Sequence, residues 1–280
     1  MRFLKGHGTG NDFVILPDEH GQLPLTPSLV AALCDRRRGI GADGVLRVVR
    51  AAHHPDGARF ADQAEWFMDY WNADGSFAEM CGNGVRVFVR YLDSVGVRGS
   101  DGALPVATRA GVVRAVIDGD SIAVDMGRPR LTGTSAATLD GRTFPGVVVD
   151  CGNPHLVCTL PDDVDLSSLD LTQAPGFDPR VFPAGVNVEF VTPTEGVGGA
   201  DLHRRMRVYE RGSAETLSCG SGACAVAAVA VRDAGRTDGV VAVDVPGGRL
   251  RVTLDGESCW LAGPAVLVAR GEVDLNAISG

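Results

Sequence analysis

The sequence predicts an α+β fold of two pseudo-symmetric halves, each a curved, mainly antiparallel sheet or barrel around one central helix. Short β-branched runs broken by Gly, Pro and Asp are typical of strands, and they outnumber the candidate helices. Several motifs also occur twice, about half the chain apart, which indicates a duplicated architecture. We predict an N-terminal half at 1–126, a C-terminal half at 127–268, and a strand at about 269–280 that returns to the first half.

Most of the predicted elements are strands. Two hairpins are predicted, because Asp118-Gly119-Asp120 and Pro246-Gly247-Gly248 are turn sequences that each separate two β-branched runs. The runs that predict strands are 45–50, 65–71, 112–126 with its turn, 147–149, 186–191, 204–209, 240–245 and 249–254.

Three segments, 29–34, 85–93 and 223–234, predict helices. The third is apolar on all sides, so we expect it to be buried on nearly every face. The second and third each follow a Cys-Gly-x-Gly turn, and these turns are the clearest repeat in the chain. Three pairs of motifs repeat, at offsets of 219 − 81 = 138, 209 − 70 = 139 and 153 − 11 = 142: Cys81-Gly82-Asn83-Gly84 with Cys219-Gly220-Ser221-Gly222, Tyr70-Trp71-Asn72 with Tyr209-Glu210-Arg211, and Gly10-Asn11 with Gly152-Asn153.

The composition excludes several classes of protein. With 26 basic against 35 acidic residues, the net charge of −9 is unsuited to general electrostatic binding of nucleic acid or anionic lipid. The longest uncharged apolar run, 222–231, is too short to span a membrane, and the first eight residues do not resemble a signal peptide. We therefore expect a cytoplasmic protein that binds a small molecule and copies of itself, with no nucleic acid or membrane partner.

The counts of lysine and cysteine restrict the chemistry further. Lys5 is the only lysine among the 26 basic residues and lies outside any P-loop sequence, so it is a poor candidate for a pyridoxal Schiff base or a phosphate-binding lysine. The seven cysteines include no Cys-x-x-Cys pair, which favours free thiols over zinc sites or a disulfide framework. We expect neither a cofactor nor a metal.

The two Cys-Gly-x-Gly turns suit one reaction in particular. Each places a cysteine just before a helix, where free N–H groups and the helix dipole favour a thiolate and a bound carboxylate. If the halves face each other, the thiols Cys81 and Cys219 lie on opposite sides of a small anion. One thiol can then remove a proton from a carbon while the other delivers a proton to the opposite face, as in a two-base racemase or epimerase.

Together, the motifs closely resemble those of the diaminopimelate epimerase family, from Phe3 to about Arg270. They are Gly10-Asn11-Asp12-Phe13, Gly39-Ile40-Gly41-Ala42-Asp43-Gly44, Asn72-Ala73-Asp74-Gly75-Ser76, Met80-Cys81-Gly82-Asn83-Gly84, Gly152-Asn153-Pro154-His155, Tyr209-Glu210-Arg211-Gly212 and Ser218-Cys219-Gly220-Ser221-Gly222. The resemblance implies a cofactor-independent isomerase, commonly a homodimer, that interconverts LL- and meso-2,6-diaminopimelate in the route to lysine and cell-wall precursors.

The resemblance also implies a role for each site residue. Cys219 takes the proton from the LL substrate, and Cys81 donates one to the other face. The implied binding groups are the backbone N–H groups of Gly82, Asn83, Gly220 and Ser221 for the reacting carboxylate, Asn11 for the reacting end, and Asn72, Asn153, Asn187, Glu210 and Arg211 for the distal end. His155 and Glu210 are implied to modulate the pKa of the thiols.

The chain departs from the family pattern at two places. Many members carry Gln where this chain has Gly44, so a side-chain contact is lost or replaced by water there. The stretch His53-His54-Pro55-Asp56-Gly57 resembles an insertion, and we expect its histidines to lie in a solvated loop.

Two other functions remain open at this point. A proline or hydroxyproline racemase or epimerase shares the architecture, but its small ring substrate needs no distal cluster of Asn and Arg side chains. A non-catalytic pair of redox-sensing thiols is the alternative from another class. Isomerisation in reducing buffer distinguishes the enzyme from the sensor, because a sensor has no turnover.

Overall fold

The structure is a computed structural model that describes residues 1–99 and 102–278, and its chain divides into two compact units. The first unit consists of Met1–Val124 with Pro264–Gly280, and the second of Asp125–Gly263. The predicted boundaries lie at 126/127 and 268/269.

Strands and turns dominate both units. In the described residues the strands are β1 (Arg2–Gly8), β2 (Asn11–Pro17), β3 (Gly44–Arg50), β4 (Trp66–Asn72), β5 (Ala103–Thr108), β6 (Gly111–Asp118), β7 (Ser121–Asp125), β8 (Arg130–Leu139), β9 (Arg142–Asp150), β10 (Pro154–Thr159), β11 (Asn187–Pro193), β12 (Leu202–Glu210), β13 (Ala214–Thr216), β14 (Gly239–Val245), β15 (Gly248–Asp255), β16 (Ser258–Pro264) and β17 (Val266–Glu272). The α-helices are α1 (Pro27–Cys34), α2 (Gly82–Ser94), α3 (Gly220–Asp233) and α4 (Leu275–Ile278). Both predicted hairpins are confirmed, as β6–β7 and β14–β15.

The strand predicted at about 269–280 differs from the structure. The strand β17 begins at Val266 and ends at Glu272, and the helical turn α4 follows it. Asp274 Oδ1 accepts the N–H of Asn276 at 3.0 Å, a side-chain cap that starts a turn rather than extending a strand. Residues 279 and 280 of the predicted strand lie outside the described residues.

In the first unit, the strands follow the order β17-β1-β2-β3-β4-β5-β6-β7. Neighbours are antiparallel except in the pairs β2–β3 and β4–β5, which are parallel. Parallel neighbours require a crossover connection, and α1 and α2 supply these two crossovers. The longer helix α2 packs against β1, β2, β3, β4, β6 and β17, so it is the central helix of this unit.

The second unit repeats the same plan. Its strands follow the order β8-β9-β10-β11-β12-β14-β15-β16, with β13 paired to β12, and its parallel pairs are β10–β11 and β12–β14. The orientations along the two orders are therefore identical. The helix α3 lies in the β12–β14 crossover and packs against β9, β10, β11, β12, β14 and β15. The duplication that the sequence motifs indicate is a duplication of topology.

The pairing register defines which residues correspond between the units. Phe13 pairs with Gly44 in β2–β3, and His155 pairs with Asn187 in β10–β11. Because 155 − 13 = 142 is also the offset of the Gly-Asn repeat, Phe13 corresponds to His155 and Gly44 corresponds to Asn187. Leu46, two residues beyond Gly44, then corresponds to the residue at 189.

The register corrects one of the predicted repeats by a single residue. Trp71 pairs with Val45, and Tyr209 pairs with Val188 in the corresponding strand pair. Trp71, not Tyr70, is thus the counterpart of Tyr209, at 209 − 71 = 138, the same offset as the two cysteines. Tyr70 and Tyr209 therefore have the same residue type without occupying corresponding positions.

Each unit has an apolar core around its central helix. In α3, every residue from Gly220 to Val231 except Ser221 is buried, which confirms the predicted burial on nearly every face. Around it pack apolar side chains of β12, β14, β15 and β16. In the described part of the chain, no helix combines the length and hydropathy needed to span a membrane.

The expectation of a solvated loop is wrong for His54. Its ring stacks on Phe67 of β4 with 4.5 Å between the ring centroids, and its Nε2 lies 3.5 Å from Asp69 Oδ2. The side chain of His54 is 11% exposed, because β4 offers it both an apolar surface and a buried carboxylate. The neighbouring His53 is exposed, as expected.

Candidate active site

Each candidate cysteine is the N-cap residue of the central helix of its unit. Cys81 has an extended backbone, with φ −145° and ψ 117°, and its Sγ accepts the N–H of Gly84 at 3.3 Å. Cys219 caps α3 in the same way, with φ −118° and ψ 114°, and its Sγ accepts the N–H of Gly222 at 3.4 Å. Both sulfurs thus lie at the positive end of a helix dipole, where the charge of a thiolate is stabilised.

Asn11 connects Cys81 to the first strand pair. The Cys81 thiol donates to Asn11 Oδ1 across 3.7 Å, and Asn83 Nδ2 donates to the same oxygen at 3.3 Å. Asn11 Nδ2 in turn donates to Asp43 Oδ2 at 2.8 Å. The structure therefore brings together three residues of the predicted site, Cys81, Asn11 and Asn83.

A network of charges lies behind Asn11. Arg36 binds Asp12 through two hydrogen bonds of 3.0 and 2.7 Å and also donates to Asp43 at 2.8 Å. Lys5 Nζ lies 2.7 Å from Asp12 Oδ2 and donates to the carbonyl oxygen of Gly41. Burial by itself raises the pKa of Asp12, but hydrogen bonds from Arg36 and Lys5 outweigh it and hold that pKa well below 3.8. The network fixes the two loops that position Asn11.

In the second unit, His155 and Glu189 form a fully buried pair. His155 Nδ1 lies 2.6 Å from Glu189 Oε1, and His155 Nε2 lies 3.0 Å from Asn153 Oδ1. Both His155 and Glu189 have no exposed surface. The two ring nitrogens of His155 are therefore occupied by neighbours in its own unit, and the predicted site residues Asn153 and His155 are in direct contact.

Glu189 also reaches the start of α3. A Cβ placed on Gly222 would lie 2.7 Å from Glu189 Oε1 and 3.3 Å from Cys219 Sγ. Since both atoms lie that close to one point, Oε1 and Sγ are at most 6.0 Å apart. Glycine at 222 leaves room for the carboxyl group beside the thiol.

The surroundings of Cys219 oppose its ionisation. Burial raises the pKa of the Cys219 thiol well above its usual range, and the carboxylates of Glu210 and Glu189 raise it further. Hydrogen bonds from Gly222 N–H and Ser221 act in the opposite direction. Burial likewise raises the pKa of Glu189, against the attraction of His155. The thiol form of Cys219 is thus favoured in the free protein.

Three residues predicted to bind the distal end of a substrate are neighbours in the second unit. Asn187 Oδ1 accepts the N–H of Arg211 at 2.9 Å, and Arg211 Nη1 donates to the carbonyl oxygen of Ala184 at 2.9 Å. Glu210 accepts a hydrogen bond from the Thr216 hydroxyl. Asn187 is buried, whereas Arg211 is exposed and available to a ligand.

The first unit supplies Asn72 and the unusual Gly44. Asn72 Nδ2 donates to Ser76 Oγ at 3.0 Å, and Asn72 pairs with Gly44 in the β3–β4 register. A Cβ on Gly44 would lie 2.5 Å from the carbonyl oxygen of Trp71 and 2.8 Å from a ring carbon of Tyr70. The ring of Tyr70 therefore occupies space that a longer side chain at 44 would need.

Three residues of these networks, Glu189, Asp43 and Arg36, are not among the predicted site residues. A signal was present for Glu189, which is the one charged residue in the apolar run 186–191. Carboxylates are rarely buried without a partner, so its position in a central strand indicates a paired group. No local signal connects Arg36 or Asp43 to Asn11, because the contacts depend on how the α1–β3 loop meets the β1–β2 turn.

The other five thiols do not lie at the N-cap of a central helix. These five cysteines are free, and burial raises the pKa of Cys34 and Cys158 to about 12. The pKa of Cys224 is raised by its neighbour Cys259 and by burial. Within the described ranges, no group of three or more His, Cys, Asp or Glu side chains is arranged to hold a metal ion.

Two solved structures with a similar fold are a PhzF-family protein and a hydroxyproline epimerase. A phenazine biosynthesis protein of the PhzF family from Enterococcus faecalis is 13% identical with a TM-score of 0.66, over 98% of each chain. A hydroxyproline epimerase from Agrobacterium vitis, solved with bound trans-4-hydroxy-L-proline, is 15% identical with a TM-score of 0.66, over 98% of this chain and 90% of that chain. These matches confirm the predicted combination of a large sheet with few helices.

Sequence comparisons are more specific. The sequence model of the family described as "Diaminopimelate epimerase" matches residues 3–132 and 147–275. The diaminopimelate epimerase of Rhodococcus opacus (strain B4) is 51% identical, over 98% of this chain and 97% of the relative. That of Thermobifida fusca (strain YX) is 50% identical, over 99% of this chain and 100% of the relative. This chain belongs to the diaminopimelate epimerase family.

Proposed function

We propose that this protein interconverts LL- and meso-2,6-diaminopimelate by a two-base mechanism in which Cys219 and Cys81 are the catalytic residues. One observation carries the assignment of the bases. The two cysteines cap the central helices of two units with identical strand order. The identity of about 50% to relatives named diaminopimelate epimerase supports the substrate.

The reaction exchanges two protons and leaves the oxidation state unchanged. The Cys219 thiolate takes the proton from Cα of the LL substrate, so a C–H bond breaks and an S–H bond forms. The Cys81 thiol gives its proton to the opposite face of the same carbon, which breaks an S–H bond and forms the new C–H bond. In the reverse direction the two cysteines exchange roles.

The carbanionic transition state needs stabilisation at the carboxylate, where negative charge accumulates. The backbone N–H groups of Gly82 and Asn83 at α2, and of Gly220 and Ser221 at α3, belong to first helical turns, whose N–H groups lack intrahelical acceptors. Donors held in place before the reaction contribute most to such catalysis. We assign the reacting carboxylate to these four groups.

The distal amino acid end of the substrate requires groups for both charges. Arg211 suits the distal carboxylate through a forked hydrogen bond, and Glu210 suits the ammonium group. Asn72, Asn153 and Asn187 complete this set, and Asn11 is assigned to the reacting end. His155 and Glu210 are assigned to modulation of the thiol pKa values, consistent with the effect of Glu210 on the pKa of Cys219.

The test is isomerisation of LL-diaminopimelate in D₂O and reducing buffer. We expect meso product with deuterium at one α-carbon, because the delivered proton comes from a thiol that exchanges with solvent. L-proline and trans-4-hydroxy-L-proline serve as matched controls and should not be turned over, since neither has a distal zwitterion. Isomerisation of a proline in preference to diaminopimelate, or no isomerisation of either, overturns the assignment.

Membership of this family of biosynthetic enzymes further supports a homodimer and a location in the cytoplasm. Sedimentation in reducing buffer tests the first of these, with twice the chain mass of 29.2 kDa as the expected result.

A further inference from the structure

Glu189 is the least expected side chain near the start of α3. It is fully buried in β11, between the apolar neighbours Val188 and Phe190. Its Oε1 is bound by His155, but in the described residues its Oε2 has no hydrogen-bond partner. Burying a carboxyl oxygen without a donor is costly, so the protein retains this group at the expense of stability.

The first unit shows that the fold does not require a carboxyl group at this position. The residue that corresponds to Glu189 there is Leu46, and a Cβ on Gly84 would contact Leu46 Cδ2 at 3.4 Å. His155 likewise corresponds to Phe13, 3.6 Å from the same point. The same two strand positions thus carry apolar side chains next to Cys81 and an ionisable pair next to Cys219.

The charged groups that act on Cys219 come from several elements packed against α3. Glu189 of β11 and Glu210 of β12 both raise the pKa of the thiol, and His155 of β10 binds Glu189 from behind. The helix itself contributes the N–H of Gly222 and the hydroxyl of Ser221. Among the thiols, Cys224 on α3 interacts with Cys219, and also with Cys151 and Cys259.

We propose that Glu189 is a positioning residue for Cys219 and that, paired with His155, it controls how readily the Cys219 thiol gives up its proton. A negative charge at Glu189, at most 6.0 Å from Cys219 Sγ, repels the thiolate. When the carboxyl group holds a proton, that repulsion disappears. The pair therefore biases which of the two thiols is ionised before substrate binds. The inference rests on the proposed function only for the role of Cys219 as a base.

The test is the variant Glu189→Gln, which keeps the size of the side chain and removes its charge. Thiolate absorbance in the ultraviolet is titrated with pH in four proteins: wild type, Cys219→Ser, Glu189→Gln and the double variant. Subtracting the curve of each protein that lacks Cys219 from that of its parent gives the titration of Cys219 alone. We expect the midpoint of Cys219 to fall by about one pH unit or more in Glu189→Gln, given Coulomb repulsion over this distance. Asp163→Asn, which removes an exposed carboxylate of the same unit, is the matched control and should leave the midpoint unchanged.

Two further variants keep the inference open to refutation. Glu189→Leu installs the residue that the first unit accepts, and it should lower the midpoint as Glu189→Gln does, even if one of the two variants folds poorly. Glu189→Asp retains the charge and should keep the midpoint near that of wild type. An unchanged midpoint in a folded Glu189→Gln or Glu189→Leu protein overturns the proposal.

The titration does not depend on turnover, which separates this proposal from the proposed function. If the midpoint shifts but wild type has no epimerase activity, the coupling stands and the function is wrong. If wild type is active, the pH profile of kcat/KM gives a second measurement, because it reports ionisations of the free enzyme. In Glu189→Gln we expect one limb of the profile to move to lower pH, whereas a purely structural role would lower activity at all pH values alike.

Discussion

The starts of α2 and α3 share a backbone plan but differ in the side chains behind the cysteine. In the first unit, Cys81 is partly exposed, and its thiol donates to Asn11. Leu46 and Phe13, both fully buried, fill the space next to Gly84. This thiol has an apolar wall behind it and an amide beside it.

In the second unit, Cys219 is buried and the wall is ionisable. Glu189 lies against Gly222, and His155 joins Glu189 to Asn153, the counterpart of Asn11. The duplicated backbone gives each thiol the same helix dipole. The side chains then make the two thiols unequal, which is what a two-base enzyme needs, because one cysteine must be ionised while the other is protonated.

The largest expected effect is the loss of either thiol. We expect Cys81→Ser and Cys219→Ser each to lower the rate of isomerisation by about 10³-fold or more, since a serine hydroxyl is a far weaker acid and base at this position. The assay follows both directions with LL- and meso-diaminopimelate. Cys158→Ala, which changes a buried thiol in a separate apolar cluster of the second unit, should retain activity within a few-fold.

If either serine variant retains substantial activity in both directions, only one of the two helix starts supplies an acid or base. The comparison would then describe one active unit and one structural copy.

The second expectation concerns pH. Burial and the carboxylate of Glu210 raise the pKa of Cys219. Its thiolate is therefore formed at higher pH than that of an ordinary cysteine. Activity should rise as the pair of thiols loses its first proton and fall as it loses its second, which gives a bell-shaped kcat/KM that belongs to the coupled pair. A profile that is flat across the thiol range contradicts this expectation.

The parts of the fold that sequence predicts are those with local signals. The hairpins around Asp118-Gly119-Asp120 and Pro246-Gly247-Gly248 depend on neighbouring residues only. The same holds for the two central helices, although both begin three residues earlier than predicted, at Gly82 and Gly220, inside the Cys-Gly-x-Gly motifs. The β1–β2 hairpin is not among the predicted elements. Its turn lies at Thr9 and Gly10, which have φ of 50° and 83°. Because glycines occur at three positions in 6–10, the sequence does not indicate where the turn lies.

Contacts between distant strands are beyond local signals. The approach of Glu189 to Gly222 depends on the register of β10, β11 and the start of α3, and the packing of His54 on Phe67 depends on how an insertion folds back. The cysteines, most of the Asn residues, His155 and the Glu210-Arg211 pair could be recognised in advance, because they belong to short motifs.

The third expectation concerns stability when the residues at the corresponding positions Gly44 and Asn187 are exchanged between the units. In Gly44→Asn, the new Cβ would lie 2.5 Å from the carbonyl oxygen of Trp71, so we expect the free energy of unfolding to fall by about 1–3 kcal/mol. In Asn187→Gly, Arg211 loses a hydrogen bond of 2.9 Å to its N–H, at a cost of about 1 kcal/mol. Urea unfolding of both variants measures this. Equal stability of Gly44→Asn and wild type would show that Tyr70 and Trp71 move aside, and that the units differ less at this position than their packing indicates.

The smallest expected effect is that of Lys5→Ala, in the charge network behind the Asn11 loop of the first unit. Lys5 and Asp12 are both mostly buried, so we expect the free energy of unfolding to fall by about 1 kcal/mol at about pH 7, with activity within a few-fold of wild type.

The sign of the pH dependence follows from Asp12, whose pKa in the folded protein lies well below its ordinary 3.8. Such a group stabilises the fold at pH values above its unfolded pKa, and the stabilisation is lost as the pH falls toward the folded value. The difference between wild type and Lys5→Ala should therefore be full at about pH 7 and smaller at about pH 3, as measured by urea unfolding at the two pH values. A difference that stays constant between them would mean that Lys5 acts through the carbonyl oxygen of Gly41 rather than through the charge of Asp12, and that Arg36 alone holds this carboxylate.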